Sequence, residues 1–348
     1  MNTFYIEFRD PLFSIIIFFV IVFMITFFSY WWSRYRRRED SKYLDNFLKQ
    51  FRTLPSKDEL KVLISSGDLS EKSWLLLAHS YSKNGDYEKS IEIYNEILTL
   101  SSSENKRDTM FLLGKTYFKA GFLERSKQVF LSILKTNPRT PQALNYLLLV
   151  YEYMKEYKSA QDVLEPLDEL NVDIELNSIY LQIMALLNRM DLSQEEKVSQ
   201  LLAIYKETHQ LAYIVFEFLF RVNPKLAWEN FDSSKSELLT DILWSIEFKD
   251  LNLDIISNNG YLRELYSARG DIDLAQSSSV FAFDVLIKLH GKANATLSFE
   301  YMCDACNQVF PFAFNRCSSC HSVDTSRVEW SLSKDYYKNL TQENNSFQ

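Results

Sequence analysis

Glycine and proline are scarce, at seven residues of each in 348. A chain so poor in turn formers reads as long helices joined by brief connections. No basic excess is present: 46 acidic residues outnumber 38 lysines and arginines, for a net charge of −8. An acidic body lacks the basic stripe that binding to nucleic acid requires. A second long apolar run is also missing, so at most one segment can span a membrane. None of His79, His209, His290 or His321 sits in an HExxH pair or beside a nucleophile in triad order, which leaves no visible catalytic centre and predicts that the chain is not an enzyme. The tempting G-K-T at 114–116 is no phosphate loop, because that motif needs a glycine at 109, where Thr109 stands. Cysteine is absent everywhere outside one short window.

That window holds Cys303, Cys306, Cys317 and Cys320, spaced C-x2-C-x10-C-x2-C. Two CxxC turns facing each other close a tetrahedral sulfur site, so one metal ion per chain is expected, zinc or iron. Disulfides would need an oxidising compartment, and the N-terminal segment argues against one. From 12 to 32 the chain carries no charge and is rich in Ile, Phe, Val and Met, long enough to cross a hydrocarbon core of about 30 Å. Tyr30, Trp31 and Trp32 form an interfacial belt, followed by Arg34, Arg36, Arg37 and Arg38. The positive-inside rule then puts the N-terminus outside and the body in the cytoplasm. A cleaved signal peptide fits less well, since the basic n-region and a small-residue cleavage site are missing.

A period runs through the middle of the chain. Tyr81, Tyr117 and Tyr151 recur at intervals of 36 and 34, as do Tyr94, Phe130 and Leu164. Small residues match as well: Ala78 with Gly114, and Ser90 with Ser126 and Ala160. Gly85 and Gly121 occupy turn positions, Lys155 replaces the third turn glycine, and Leu148 departs from the small-residue rule. The pattern resembles the tetratricopeptide repeat, a pair of antiparallel helices of about 34 residues. The two extra residues fall at 101–103, where insertion is cheap. Beyond Leu170 the period blurs, but helical spacing continues at 174–187, 198–205, 211–220 and 238–248. A fourth unit surfaces at 261–286, with Tyr266, Gly270 and Ala275 at the matching offsets.

After Ala295 the pattern turns β-prone, with runs at 296–302, 307–315 and 323–332 around the cysteines. Asn307 and His321 follow the two CxxC turns and are suited to positive φ. So small a unit cannot bury enough to fold alone and needs its metal. Phe310, Phe312 and Phe314 exceed what it can bury, so some of them should pack on the repeats. The expected organisation is an all-α repeat solenoid with a rubredoxin-like or zinc-ribbon β unit: outer tail 1–11, transmembrane helix 12–32, basic linker 33–56, solenoid 57–292, metal-binding unit 293–332 and C-terminal tail 333–348.

A membrane anchor, tetratricopeptide repeats and a C-x2-C-x10-C-x2-C knuckle, in that order, resemble the lipopolysaccharide assembly protein B family, most sharply at 111–167 and 301–321. The resemblance implies a rubredoxin-like ribbon docked on the repeats, with Cys303, Cys306, Cys317 and Cys320 as the ligands. It also implies an inner-membrane adaptor that presents the lipid A deacetylase to an FtsH-type membrane protease. A scaffold for another client and a rubredoxin-like electron carrier stay open, as does a homo-oligomer. The repeat family's inner positions map to Lys72, His79 and Lys83, then Phe111, Lys115 and Lys119, then Asn145, Glu152 and Tyr153. These form a partner face, or else a plain solvated one.

Overall fold

The computed structural model describes residues 22–24, 27, 57–66, 70–100, 106–289 and 294–334. The expected membrane segment at 12–32 lies outside them except for residues 22–24 and 27, which are helical. Among the described residues no helix is long and apolar enough to cross a membrane. The arginines at 34–38, His290 and the insertion at 101–103 also fall outside. The chain is mostly helical, with a small antiparallel sheet near its C-terminus, and divides into two compact units, Met1–Phe122 and Leu123–Gln348.

The first unit holds α1 (Lys57–Ser66), α2 (Glu71–Lys83), α3 (Tyr87–Leu100) and α4 (Lys106–Lys119). Ser70 starts α2 by accepting a hydrogen bond from Ser73 N at 3.3 Å, which satisfies one of the unpaired donors of the first turn. Trp74, Leu77 and Ala78 of α2 and Ile93, Tyr94 and Ile97 of α3 are buried together. Ser90 is fully buried, a small residue where two helices must approach closely. The G-K-T triplet lies inside α4 rather than on a loop, and Thr116 there donates both to Leu112 O and to Ser82 Oγ of α2.

The second unit runs through α5 (Leu123–Thr136), α6 (Pro141–Tyr153), α7 (Tyr157–Asp162), α8 (Leu164–Asp168), α9 (Glu175–Asn188), α10 (Gln194–Thr208), α11 (Ala212–Val222), α12 (Pro224–Glu229), α13 (Thr240–Ser245), α14 (Leu253–Asn258), α15 (Gly260–Arg269) and α16 (Phe281–Leu289). The third repeat's second helix is broken into α7 and α8. Pro166 explains the break, because it has no N–H to give Asp162 O and its ring crowds that carbonyl. A full capping box opens α10: Ser193 N donates to Glu196 Oε2 at 2.8 Å, and Glu196 N donates to Ser193 Oγ at 3.2 Å.

The repeat tyrosines mark a common turn. Asp86 N donates to Tyr81 O at 2.9 Å, Phe122 N to Tyr117 O at 2.9 Å, Glu156 N to Tyr151 O at 2.8 Å and Asp271 N to Tyr266 O at 3.1 Å. Each is the six-residue bond of a Schellman ending, which needs a left-handed residue just past the helix. Gly85, Gly121 and Gly270 supply it at φ of 86°, 79° and 86°, and Lys155 adopts 61° with a full side chain. The fourth unit therefore has the expected turn but not the expected second helix. Ala275 lies in a loop, where its N–H is held by Ser267 Oγ at 3.0 Å, and α16 begins only at Phe281. The serine run at 277–279 and the aspartates at 271 and 273 favour local side-chain turns over helix.

The sheet has the order β2-β1-β3, with β1 (Ala295–Cys303), β2 (Val309–Phe310) and β3 (Ser326–Lys334) all antiparallel. β2 is much shorter than the run 307–315 suggests, since Pro311 cannot donate to the ladder.

The turn chemistry generates a prediction. No atom lies within 4 Å of a Cβ built at Gly121, so Gly121→Ala should cost only the left-handed strain, about 1 kcal/mol. Lys155→Gly should relieve the same strain. Urea unfolding should move the two midpoints in opposite directions.

Candidate metal centre and its docking face

The four cysteines converge. Their sulfurs all lie within 4.8 Å of one another and none is in a disulfide. Cys303 Sγ stands 3.6 Å from Cys320 Sγ, and Cys306 Sγ stands 3.7 Å from Cys317 Sγ. A tetrahedron of metal–sulfur bonds of about 2.3 Å has edges of about 3.8 Å, so the donor set and its spacing fit one metal ion. Cys303, Cys306, Cys317 and Cys320 would hold it, and the ion would cross-link the two halves of the ribbon.

The two CxxC turns are built alike. Asn307 N donates to Cys303 O at 2.7 Å and His321 N to Cys317 O at 2.9 Å, while Cys303 N and Cys317 N reach Gln308 O and Ser322 O at 3.0 and 2.9 Å. Asn307 and His321 take φ of 56° and 65°, the left-handed conformation expected of them. Burial acts to raise the Cys303 thiol, but hydrogen bonds from Thr325 and from the backbone N–H groups of Cys306 and Ala305 outweigh it and hold it at about 6. Burial pushes Cys317 up to about 12. A bound cation would favour the thiolate at both positions.

Arg316, one residue before Cys317, carries the ribbon onto the repeats. Its Nε lies 2.8 Å from Glu152 Oε2, with both side chains under a tenth exposed. The outer nitrogens reach further partners: Nη1 donates to His321 O at 2.8 Å, Nη2 to Asn177 Oδ1 at 3.0 Å, and the guanidinium lies over the Tyr180 ring at 4.9 Å. Tyr180 completes the network by donating to Glu152 Oε1 at 3.0 Å. Burial raises the Glu152 carboxyl above its usual range, against the pull of Arg316 and Tyr180.

Further contacts extend the seam. Tyr301 and Tyr213 both donate to Asp241 Oδ2, at 2.8 and 2.5 Å. Leu211 N donates to Asp324 Oδ2 at 3.3 Å. His321 meets Tyr146 edge-on at 5.9 Å, and Trp330 stacks on Phe283 at 5.9 Å. The ribbon thus rests on α6, α9, α11, α13 and α16.

Two expectations change. Glu152 is not open to an incoming partner, because it is buried and paired with the chain's own Arg316. Of the phenylalanine trio, Phe312 is 80% exposed and so is not a lock, while Phe310 packs against Phe314 at 5.0 Å. Arg316, Tyr301, Asp324 and Trp330 join the ribbon to the repeats. Charge and aromatic character flagged none of them in advance, because their partners are remote in sequence. Of the remaining groove residues, Asn145 and Tyr153 are exposed on α6. Lys72, Lys83 and Lys119 are exposed on α2 and α4, and His79, Phe111 and Lys115 are half-buried.

Breaking a buried pair leaves an uncompensated charge and typically costs about 3–5 kcal/mol, whereas replacing both partners with apolar groups costs far less. Arg316→Ala and Glu152→Ala should each raise hydrogen exchange across 295–334, and Arg316→Met with Glu152→Leu should largely restore protection. Chelation under reducing conditions should likewise release one equivalent of metal per chain, by elemental analysis. It should loosen 295–334 while α2–α4 stay protected.

Residues 71–104 match the tetratricopeptide repeat family model. No curated protein matches the chain significantly. Among solved structures, a double mutant of MamA from strain RS-1 and MamA from residue 41 onward of Desulfovibrio magneticus RS-1 are each 20% identical with TM-scores of 0.35. Each covers 46% of this chain, and 89% and 90% of its own. A tetratricopeptide repeat protein from Parabacteroides merdae is 11% identical, covers 63% of this chain and 97% of its own, and has a TM-score of 0.34. At such scores the repeat assignment rests on the family match and on the recurring tyrosine–glycine turns.

Proposed function

We propose that this chain is a non-catalytic adaptor built on tetratricopeptide repeats, anchored in the bacterial inner membrane by residues 12–32 with its body in the cytoplasm. In this reading it presents the lipid A deacetylase to an FtsH-type membrane protease and so holds lipopolysaccharide synthesis down. The observation that carries the reading is the docking of the four-cysteine ribbon through Arg316 onto Glu152. A ribbon that served only as an electron carrier would gain nothing from being sealed against α6 and α9 by a buried ion pair. A ribbon that shapes a presenting surface gains rigidity from it. Repeat helices supply extended binding faces, and the chain's own ribbon takes part of one, leaving the rest to a client.

Deleting the gene should raise the deacetylase level, and complementation should require the cysteines and the Arg316–Glu152 pair. Unchanged deacetylase turnover in the deletion strain would leave only a scaffold with some other client. Protease added to spheroplasts should spare the repeats; digestion of the body from outside would overturn the topology.

A further inference from the structure

Each of the two sulfur contacts across the metal site joins an accessible cysteine to a buried one. Cys320 is exposed, and its contact at 3.6 Å is Cys303, which is fully buried. Cys306 is partly covered, and its contact at 3.7 Å is Cys317, also fully buried. Both contacts run from the first CxxC turn to the second. An accessible thiolate is the one an oxidant reaches, and a second thiolate close behind it turns the product into a disulfide rather than an overoxidised acid. A disulfide bond is about 2.05 Å long. Closing either pair from 3.6 or 3.7 Å therefore asks for a shift of about 1.6 Å, shared between two turns.

We propose that the four cysteines are also a site of reversible oxidation by peroxides, at which the chain gives up its ion and closes two disulfides across the turns, Cys303–Cys320 and Cys306–Cys317, while the ribbon stays docked. First the Cys320 thiolate attacks hydrogen peroxide. An S–O bond forms, the O–O bond breaks and hydroxide leaves, so the sulfur becomes a sulfenic acid. The Cys303 thiolate then attacks that sulfur: the S–S bond forms, the S–O bond breaks and a second hydroxide leaves. Cys306 and Cys317 repeat the sequence with a second peroxide. Four thiolates lose four electrons, two peroxides take them up, and four hydroxides collect four solvent protons to become water. The ion is released because the thiolate is the ligand and a disulfide is not.

Pairing across the turns is what preserves the dock. Arg316 adjoins Cys317 and meets Glu152 at 2.8 Å, so its aim depends on the second turn being tied to the first. The ion would tie the turns through all four sulfurs, and the crossed disulfides tie them through two bonds. Disulfides inside each CxxC would leave the turns unconnected. The inference concerns the ribbon and its dock alone, and it stands whatever client the repeats present.

The test uses the unsubstituted full chain, purified in detergent and loaded with zinc, so no variant has to fold. Hydrogen peroxide is added in stages in thiol-free buffer, and each stage is stopped with catalase. Released zinc is read with a coloured chelator. Unreduced peptides are read by mass spectrometry after cleavage before Asp304 and after Arg316, with fragmentation between Cys317 and Cys320 to separate the pairings. Cys303–Cys320 and Cys306–Cys317 should appear as zinc is lost, with one ion released for two disulfides formed. Hydrogen exchange across 295–334 should stay near that of the zinc form and well below that of the chain stripped of metal under reducing conditions. A phosphine reductant added with zinc should restore the starting state. Any other pairing, above all Cys303–Cys306 with Cys317–Cys320, overturns the proposal. So do sulfinic acid at Cys320 in place of a disulfide, exchange as fast as in the stripped chain, and a site that keeps its ion and its thiols throughout.

Discussion

Removing two charges from water is expensive, and Glu152 and Arg316 are both almost fully buried. Further contacts support the pair: Tyr180 donates to the other carboxylate oxygen, Asn177 and the His321 carbonyl accept from the two outer guanidinium nitrogens, and the Tyr180 ring covers its face. Arg316 Nε and Glu152 Oε2 themselves meet as an ion pair without hydrogen-bond geometry, so the surrounding bonds carry the directional part of the network. The network depends on where the chain puts residue 316, and that is set by Cys317 beside it. The loops that bring four sulfurs together also aim Arg316, His321 and Asp324 at the repeats. Metal affinity and docking therefore draw on one free energy, and whatever strengthens either stabilises the other.

The repeats meet this demand through uniform turns. Within each unit the same bond, from the residue after the turn back to Tyr81, Tyr151 and Tyr266, sets the angle at which the following segment leaves, and Tyr117 closes its helix with the same bond. In the third unit the turn is kept although Lys155 must sit at positive φ. The next helix is then cut short by Pro166. The same unit contributes Tyr146 and Glu152 from α6 to the ribbon seam, so regular turn and irregular second helix both lie next to the docking face.

Local chemistry was legible in the sequence and remote pairing was not. The cysteine spacing specified a sulfur cluster because CxxC geometry is decided within a few residues. Asn307 and His321 could be read as left-handed, and Gly85 and Gly121 as turns, for the same reason. Tyr94, Phe130 and Leu164 stood out as core by repetition and are buried. Glu152 marks the limit. Its position in the repeat assigned it to a partner face, but no periodic signal could reveal that the chain's own arginine would arrive there. Ala275 failed in the opposite way: its offset matched, yet the surrounding Asp and Ser offered the backbone better local partners. Of the three phenylalanines from which some contact with the repeats was expected, Phe312 is 80% exposed.

The four sulfurs differ in their access to solvent. Cys303 and Cys317 are fully buried, Cys306 is partly covered and Cys320 is at the surface. An incoming thiol or chelator would therefore meet Cys320 first, and an ion held by the four sulfurs would be reached from that edge. Equilibrium retention is governed by the whole tetrahedron. The exchange rate would be governed by the exposed ligand Cys320, whose sulfur lies 3.4 Å from Ser322 Oγ. A site can in this way be tight and still trade its ion readily, without the ribbon lifting from the helices beneath it.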